Sequence, residues 1–154
     1  VTDAGKLGHL SAFAAMYPEM TRDENFGKQH KGLALLLGVG FMISTLLYFF
    51  AGLIVPFLFG ADFMPAIPVL RVLVWSIPPY VLVTYTSLGL VALGFEKPVL
   101  HSLLIALTVL LLSMIGFTFQ FGSMGSALAV LFAELIHAAL LWFQWRKHVL
   151  SKFP

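Results

Sequence analysis

Between Lys31 and Asp62 the chain reads GLALLLGVGFMISTLLYFFAGLIVPFLFGA and carries no formal charge. A helix needs about 20 apolar residues to cross the hydrocarbon core of a bilayer, so this run suffices for one tilted span. A water-soluble domain could hold such a segment only by covering it with polar surface. This chain has little to offer: 10% of its 154 residues are charged, 60% are hydrophobic, and the mean hydropathy is +0.96. A soluble domain carries about 25% charged residues. The solvent for this chain is therefore a bilayer. The absence of cysteine excludes a disulfide framework and any cysteine-based metal or nucleophile chemistry. A net charge of +2, with the basic residues dispersed, argues against a nucleic-acid partner.

Three further apolar stretches follow. The second runs from Phe63 to Phe95 with one charge, Arg71, and closes at Gly94-Phe95-Glu96-Lys97-Pro98. The third covers about 99–119, with His101 its only ionisable residue. After the turn FGSMGS the fourth covers about 126–145 and contains Glu134 and His137. Residues 1–20 differ: Leu7, Leu10, Ala14 and Tyr17 fall at helical spacing, but Pro18 stops the segment. It reads as the end of a preceding helix. Residues 21–31, TRDENFGKQHK, read as a charged connector, residues 32–145 as a four-span bundle, and residues 146–154 as a basic tail. The expectation is an all-α polytopic membrane bundle of four transmembrane helices plus an N-terminal helix stub. With no initiator methionine and no signal-peptide pattern, it reads as a piece of a longer membrane protein.

Orientation follows from the basic loops, because Lys and Arg gather on the cytoplasmic side. The connector holds Arg22, Lys28 and Lys31, the 94–98 turn holds Lys97, and the tail holds Arg146, Lys147 and Lys152. The turns near 60–66 and 119–125 hold none. Four spans require this alternation. The connector, the 94–98 turn and the C-terminus are expected to be cytoplasmic, with Trp142 and Trp145 at that interface.

Charges inside the apolar stretches are the candidates for function. Arg71 lies downstream of Pro65 and Pro68. A charge deep in a bilayer costs at least about 2.5–3.5 kcal/mol, so it faces a partner or a watery cavity. Two readings stay open: Arg71 snorkels to the outer interface, or it stands at a cavity where guanidinium pairs with phosphate or carboxylate. Glu134 and His137, three positions apart, share one face of the last span. They read either as a proton- or cation-responsive pair lining a cavity or as interhelical hydrogen-bonding groups. Lys97 and His101 flank Pro98 at the cytoplasmic turn and read first as interfacial anchors. Pro78-Pro79 should bend the second span and free backbone carbonyls. Ser126, Ala129 and Ala133 form a face of small residues suited to close helix packing. No metal site is expected, because two residues supply too few ligands and no third stands at a matching spacing. No nucleophile elbow, HExxH or phosphate loop is present, so neither an enzyme nor a cofactor is expected.

The order of these features resembles the C-terminal part of polysaccharide-exporting flippases in the MATE-like multidrug and oligosaccharidyl-lipid exporter superfamily. The matching pieces are AAMYPEMTR (14–22), VPFLFGADFMPAIPVLRVL (55–73), LGLVALGFEKPVLHSLLIAL (88–107) and FGSMGSALAVLFAELI (121–136), followed by the basic tail. The resemblance implies that the four spans form part of one lobe of a two-lobe transporter. Its cavity would face each side of the inner membrane in turn. It implies polyprenyl-pyrophosphate-linked glycans, such as O-antigen units, as the cargo, and membrane lipids and the remaining helices of the parent chain as partners. Arg71 maps to a cavity cation that meets the pyrophosphate, and Glu134 and His137 to weaker cavity positions. One departure stands out: the third span, usually rich in asparagine, reads LTVLLLSMIG. A multidrug/cation antiporter of the same superfamily and a membrane assembly subunit without transport remain the competing expectations.

Overall fold

A computed structural model describes residues 26–150, with side-chain surroundings for residues 32–148, and the secondary structure among them is entirely helical. The expected helix stub at 1–20 and the last residues of the tail lie outside the described residues. Four segments are long and apolar enough to cross a membrane: Gly32–Phe59, Ala61–Ala92, Glu96–Phe121 and Ser123–His148. Helix α1 (Phe26–Phe59) begins inside the expected connector, so the segment from Phe26 to Lys31 is helical. The second span is composite. A 3₁₀ turn (Ala61–Ala66) leads into α2 (Ile67–Leu73), a second 3₁₀ turn (Val74–Ser76) interrupts it, and α3 (Ile77–Ala92) completes it. Helix α4 (Glu96–Phe121) and α5 (Ser123–Trp145) follow, and α5 runs into a π-type turn, Arg146–Leu150.

Only 11–28% of the most apolar window of each span is buried within the chain. Phe49, Phe57, Leu112 and Phe119 are among the large side chains turned outward. A water-soluble bundle would bury such faces, whereas lipid solvates them.

The turns are short and sharply specified. Gly94 (φ +79°) ends α3 with two bonds that close the helix, Gly94 N–H to Val91 O at 3.0 Å and Phe95 N–H to Leu90 O at 2.8 Å. That pair is a Schellman ending, and its left-handed position favours glycine. Gly122 (φ +58°) alone separates α4 from α5.

Helix α1 packs against the second span, the second span against α5, and α5 most extensively against α4. The α4–α5 contact uses the small-residue face expected from the sequence. Ala129 and Ala133 are buried, Ser126 Oγ lies 2.9 Å from Thr118 Oγ1, and a β-carbon on Gly125 would overlap the Phe117 carbonyl. The main core, Leu33, Val83, Tyr85, Leu90, Ala138, Leu141 and Trp145, joins α1, α3 and α5 toward the end that carries Gly94. There Tyr85 packs on the Trp145 ring with centroids 5.9 Å apart, and Gly89 faces the same ring with no room for a side chain. Phe95 stacks on His148 at 4.6 Å, which brings the basic turn and the basic tail to one end of the bundle.

The prolines act differently from a simple mid-helix kink. Pro78 lies in the first turn of α3, after the helix has already been broken at Val74–Ser76. An α-helix would send N–H groups of residues 78 and 79 to the carbonyls of Val74 and Trp75, and proline has none to send. Ile77 N–H turns instead to Val74 O in a 3₁₀ bond. The Leu73 carbonyl, left behind by Ile77, accepts the Ser76 hydroxyl at 2.6 Å. Ser44 of α1, wholly buried, reaches across with its hydroxyl 2.8 Å from Val74 O and 2.9 Å from Gly40 O.

Candidate functional site

The break sets where Arg71 lies. Three successive contacts tie α1 to the second span: Gly40 against Pro78, Ser44 against Val74, and Tyr48 against Arg71. As one number rises by four the other falls by three or four, which is the register of two antiparallel helices. The Arg71 guanidinium carbon stands 5.3 Å from the centroid of the Tyr48 ring, a cation–π distance. Tyr48 in turn packs on Phe49 and on Trp75.

This contact fixes the depth of the charge. Tyr48 precedes the end of α1 at Phe59 by eleven residues, about 16 Å at 1.5 Å per residue. The guanidinium therefore stands well inside the length of an apolar helix long enough to cross a membrane, not at its end. Arg71 is half-buried, and its Nε atom is buried with no hydrogen-bond partner. Both readings that the sequence leaves open, an interfacial arginine and a cavity arginine, have the side chain packed on the Tyr48 ring.

Glu134 belongs to a stripe on α5. Ala138, Leu141 and Trp145 follow it at helical spacing, and all three are buried in the core shared with α3. Glu134 extends that stripe, so it lies on the face turned to the second span. Trp145 meets both Tyr85 and Gly89. Eleven residues back along both helices, Glu134 comes level with the stretch between Val74 and Pro78. The 3₁₀ turn Val74–Ser76 and helix α2 both pack against α5. Glu134 Oε2 and His137 Nε2, like Arg71 Nε, are buried without a hydrogen-bond partner.

Arg71 and Glu134, of opposite sign, thus stand on packed elements at similar depth, with His137 one turn beyond. Unpartnered polar atoms buried on neighbouring elements are expensive in a low-dielectric interior. A ligand or water with complementary groups would satisfy them, and the donor set offers both cationic and acidic chemistry.

The other sequence candidates lie elsewhere. Lys97 and His101 are exposed at the start of α4, where His101 Nδ1 is 2.8 Å from the Lys97 carbonyl within its own helix. They do not join the Arg71 layer. Pro78 and Pro79 enter it only by shaping the backbone. Among the described residues, no group of three or more His, Cys, Asp or Glu side chains comes together. In α4 the hydroxyls of Ser113 and Thr108 bond carbonyls of their own helix, leaving its surface apolar. A cavity of about 330 Å³ opens beside α4 and α5, lined by Phe117, Phe121, Leu128, Leu131, Phe132 and Leu135.

Two residues of the site have no counterpart in the sequence reading, Tyr48 and Ser44. Their spacing of four along α1 is the signal that was available, since it puts two hydroxyl groups on one face of an apolar helix. Comparison with family models, with curated proteins and with solved structures finds no match.

Proposed function

We propose that this chain is part of a membrane flippase for polyprenyl-pyrophosphate-linked glycans, built as a portion of one lobe of a MATE-like transporter. The observation that supports the reading is a half-buried arginine within an apolar span, over Tyr48, with an unpartnered Nε. A guanidinium at that depth is suited to a pyrophosphate, which it can bind by two parallel N–H donors. The prenyl tail of such a substrate stays in lipid while the headgroup crosses the cavity. Alternating access would come from rocking one lobe against the other, which needs the remaining helices of the parent chain. The reading includes a location in the bacterial inner membrane with the C-terminus cytoplasmic, and transport rather than catalysis.

A second reading has an observation of its own. Glu134, a carboxylate on a buried stripe with an unpartnered Oε2, suits the cation exchange of a multidrug antiporter. The two separate in one experiment. The gene product that carries this chain is placed in membrane vesicles, and translocation of a labelled lipid-linked oligosaccharide is followed. The flippase reading expects Arg71→Ala to abolish translocation, with membrane insertion retained and Arg71→Lys partly active. Unchanged translocation in Arg71→Ala, or cation-coupled drug efflux lost only in Glu134→Gln, overturns it.

A further inference from the structure

The interruption at Val74–Ser76 divides the second span into unequal halves. The outer half, Ala61–Leu73, contains no buried residue. The inner half, α3, contains six and is anchored in the main core through Val83, Tyr85 and Leu90. The outer half does pack against α1 and α5, but it encloses no side chain fully, and segments with few buried side chains open at low free energy. Between the halves the α-helical bonding ladder is suspended, because the prolines remove the donors for Val74 and Trp75. A 3₁₀ stretch within a helix is a common form of hinge. Besides the 3₁₀ bond from Ile77 N–H to Val74 O, the halves are held in line by side-chain chemistry, foremost the Ser44 hydroxyl on Val74 O at 2.8 Å.

We propose that Val74–Ser76 is a hinge and that Ser44 is its pin. Ser44 holds the end of the outer half against α1, one helical turn from the Tyr48 ring that receives Arg71. Releasing the hydroxyl from Val74 O lets Ala61–Leu73 swing about the break while α3 stays fixed in the core. Arg71 moves with the outer half, so one serine sets where the interior cation stands. A methyl group added at Gly40 would meet Val81 and Pro78 at ordinary contact distance, so α1 runs close to the start of α3 beside the Ser44 bond. The proposal does not depend on what the cation binds.

The chain has no cysteine, so two can be introduced without background. Spin labels at Met64→Cys and Leu93→Cys, both exposed, bracket the second span. Their distance distribution is measured by pulsed electron resonance on the gene product that carries this chain, in lipid vesicles and with any cysteine outside the chain replaced by serine. The proposal expects Ser44→Ala to widen the distribution or add a second population. Thr45→Ala serves as the control, because its hydroxyl bonds only Phe41 O of its own helix, and it should match the parent. A Ser44→Ala distribution identical to the parent overturns the proposal. Should Ser44→Ala fail to accumulate, amide exchange on the unsubstituted chain decides. A hinge requires faster exchange at residues 74–77 than at residues 83–90, and equal protection overturns it.

Discussion

At Gly125 the α4–α5 contact is so close that a methyl group would enter the backbone of Phe117. Backbone cannot turn aside as a side chain can, so Gly125→Ala should cost about 1–3 kcal/mol. Gly116, five residues before the end of α4, has nothing within 4 Å of such a methyl, and Gly116→Ala should be near neutral. Unfolding in mixed micelles would measure both, and equal losses would contradict the packing described. Gly89 is a different case, because its neighbour is the Trp145 ring. Gly89→Ala should destabilise the parent, yet cost little more in a Trp145→Ala background, a coupling that a double-mutant cycle reads directly. The interior charges were legible from the sequence because charge in an apolar run always needs a reason. Their surroundings were not. That Arg71 meets Tyr48 depends on the register of α1 against the second span, a long-range fact that local spacing cannot supply.

The four spans were legible as elements because uninterrupted apolar length is a strong signal. The composite nature of the second was legible only in part. Two adjacent prolines foretold freed carbonyls, but the sequence did not say that the helix breaks before them. Nor did it say that the Ser44 hydroxyl of another helix bonds the freed Val74 carbonyl, or that the Ser76 hydroxyl bonds Leu73 O beside it. Pro78→Ala restores an N–H that can bond Val74 O, and so competes with Ser44. Ser44→Ala should therefore cost about 1 kcal/mol in the parent, and clearly less in a Pro78→Ala background. Equal costs in both backgrounds would mean that the Val74 carbonyl is not the group Ser44 serves. On α5 the stripe Glu134, Ala138, Leu141, Trp145 was half visible: Glu134 and His137 were read as one face, whereas the register that sets Glu134 level with the break came from the Trp145 contacts.

Across the whole molecule, the basic turn and basic tail meet at one end through Phe95 and His148. With odd and even turns on opposite sides, cysteines at Met64 and Ser123 should react with an impermeant maleimide from one face. Cysteines at Leu93 and Glu96 should react only from the other, and the basic end should be cytoplasmic. Labelling of Met64 and Leu93 from the same side would break the four-span topology. The cavity beside α4 and α5, lined by Phe117, Phe121 and Phe132 among others, lies away from the basic end, and the unpartnered atoms of Arg71, Glu134 and His137 lie within the spans. The central claim is that the Arg71 guanidinium is an interior anion-binding group. It is tested most directly by equilibrium binding of a polyprenyl pyrophosphate to the detergent-solubilised gene product that carries this chain, with the uncharged polyprenol as reference. A charge-assisted hydrogen bond contributes about 1.5–3 kcal/mol, so Arg71→Ala should lose roughly tenfold or more in affinity for the pyrophosphate. Arg71→Lys should fall between, and polyprenol binding should not change. Arg71→Ala binding the pyrophosphate as tightly as the parent chain would contradict the account.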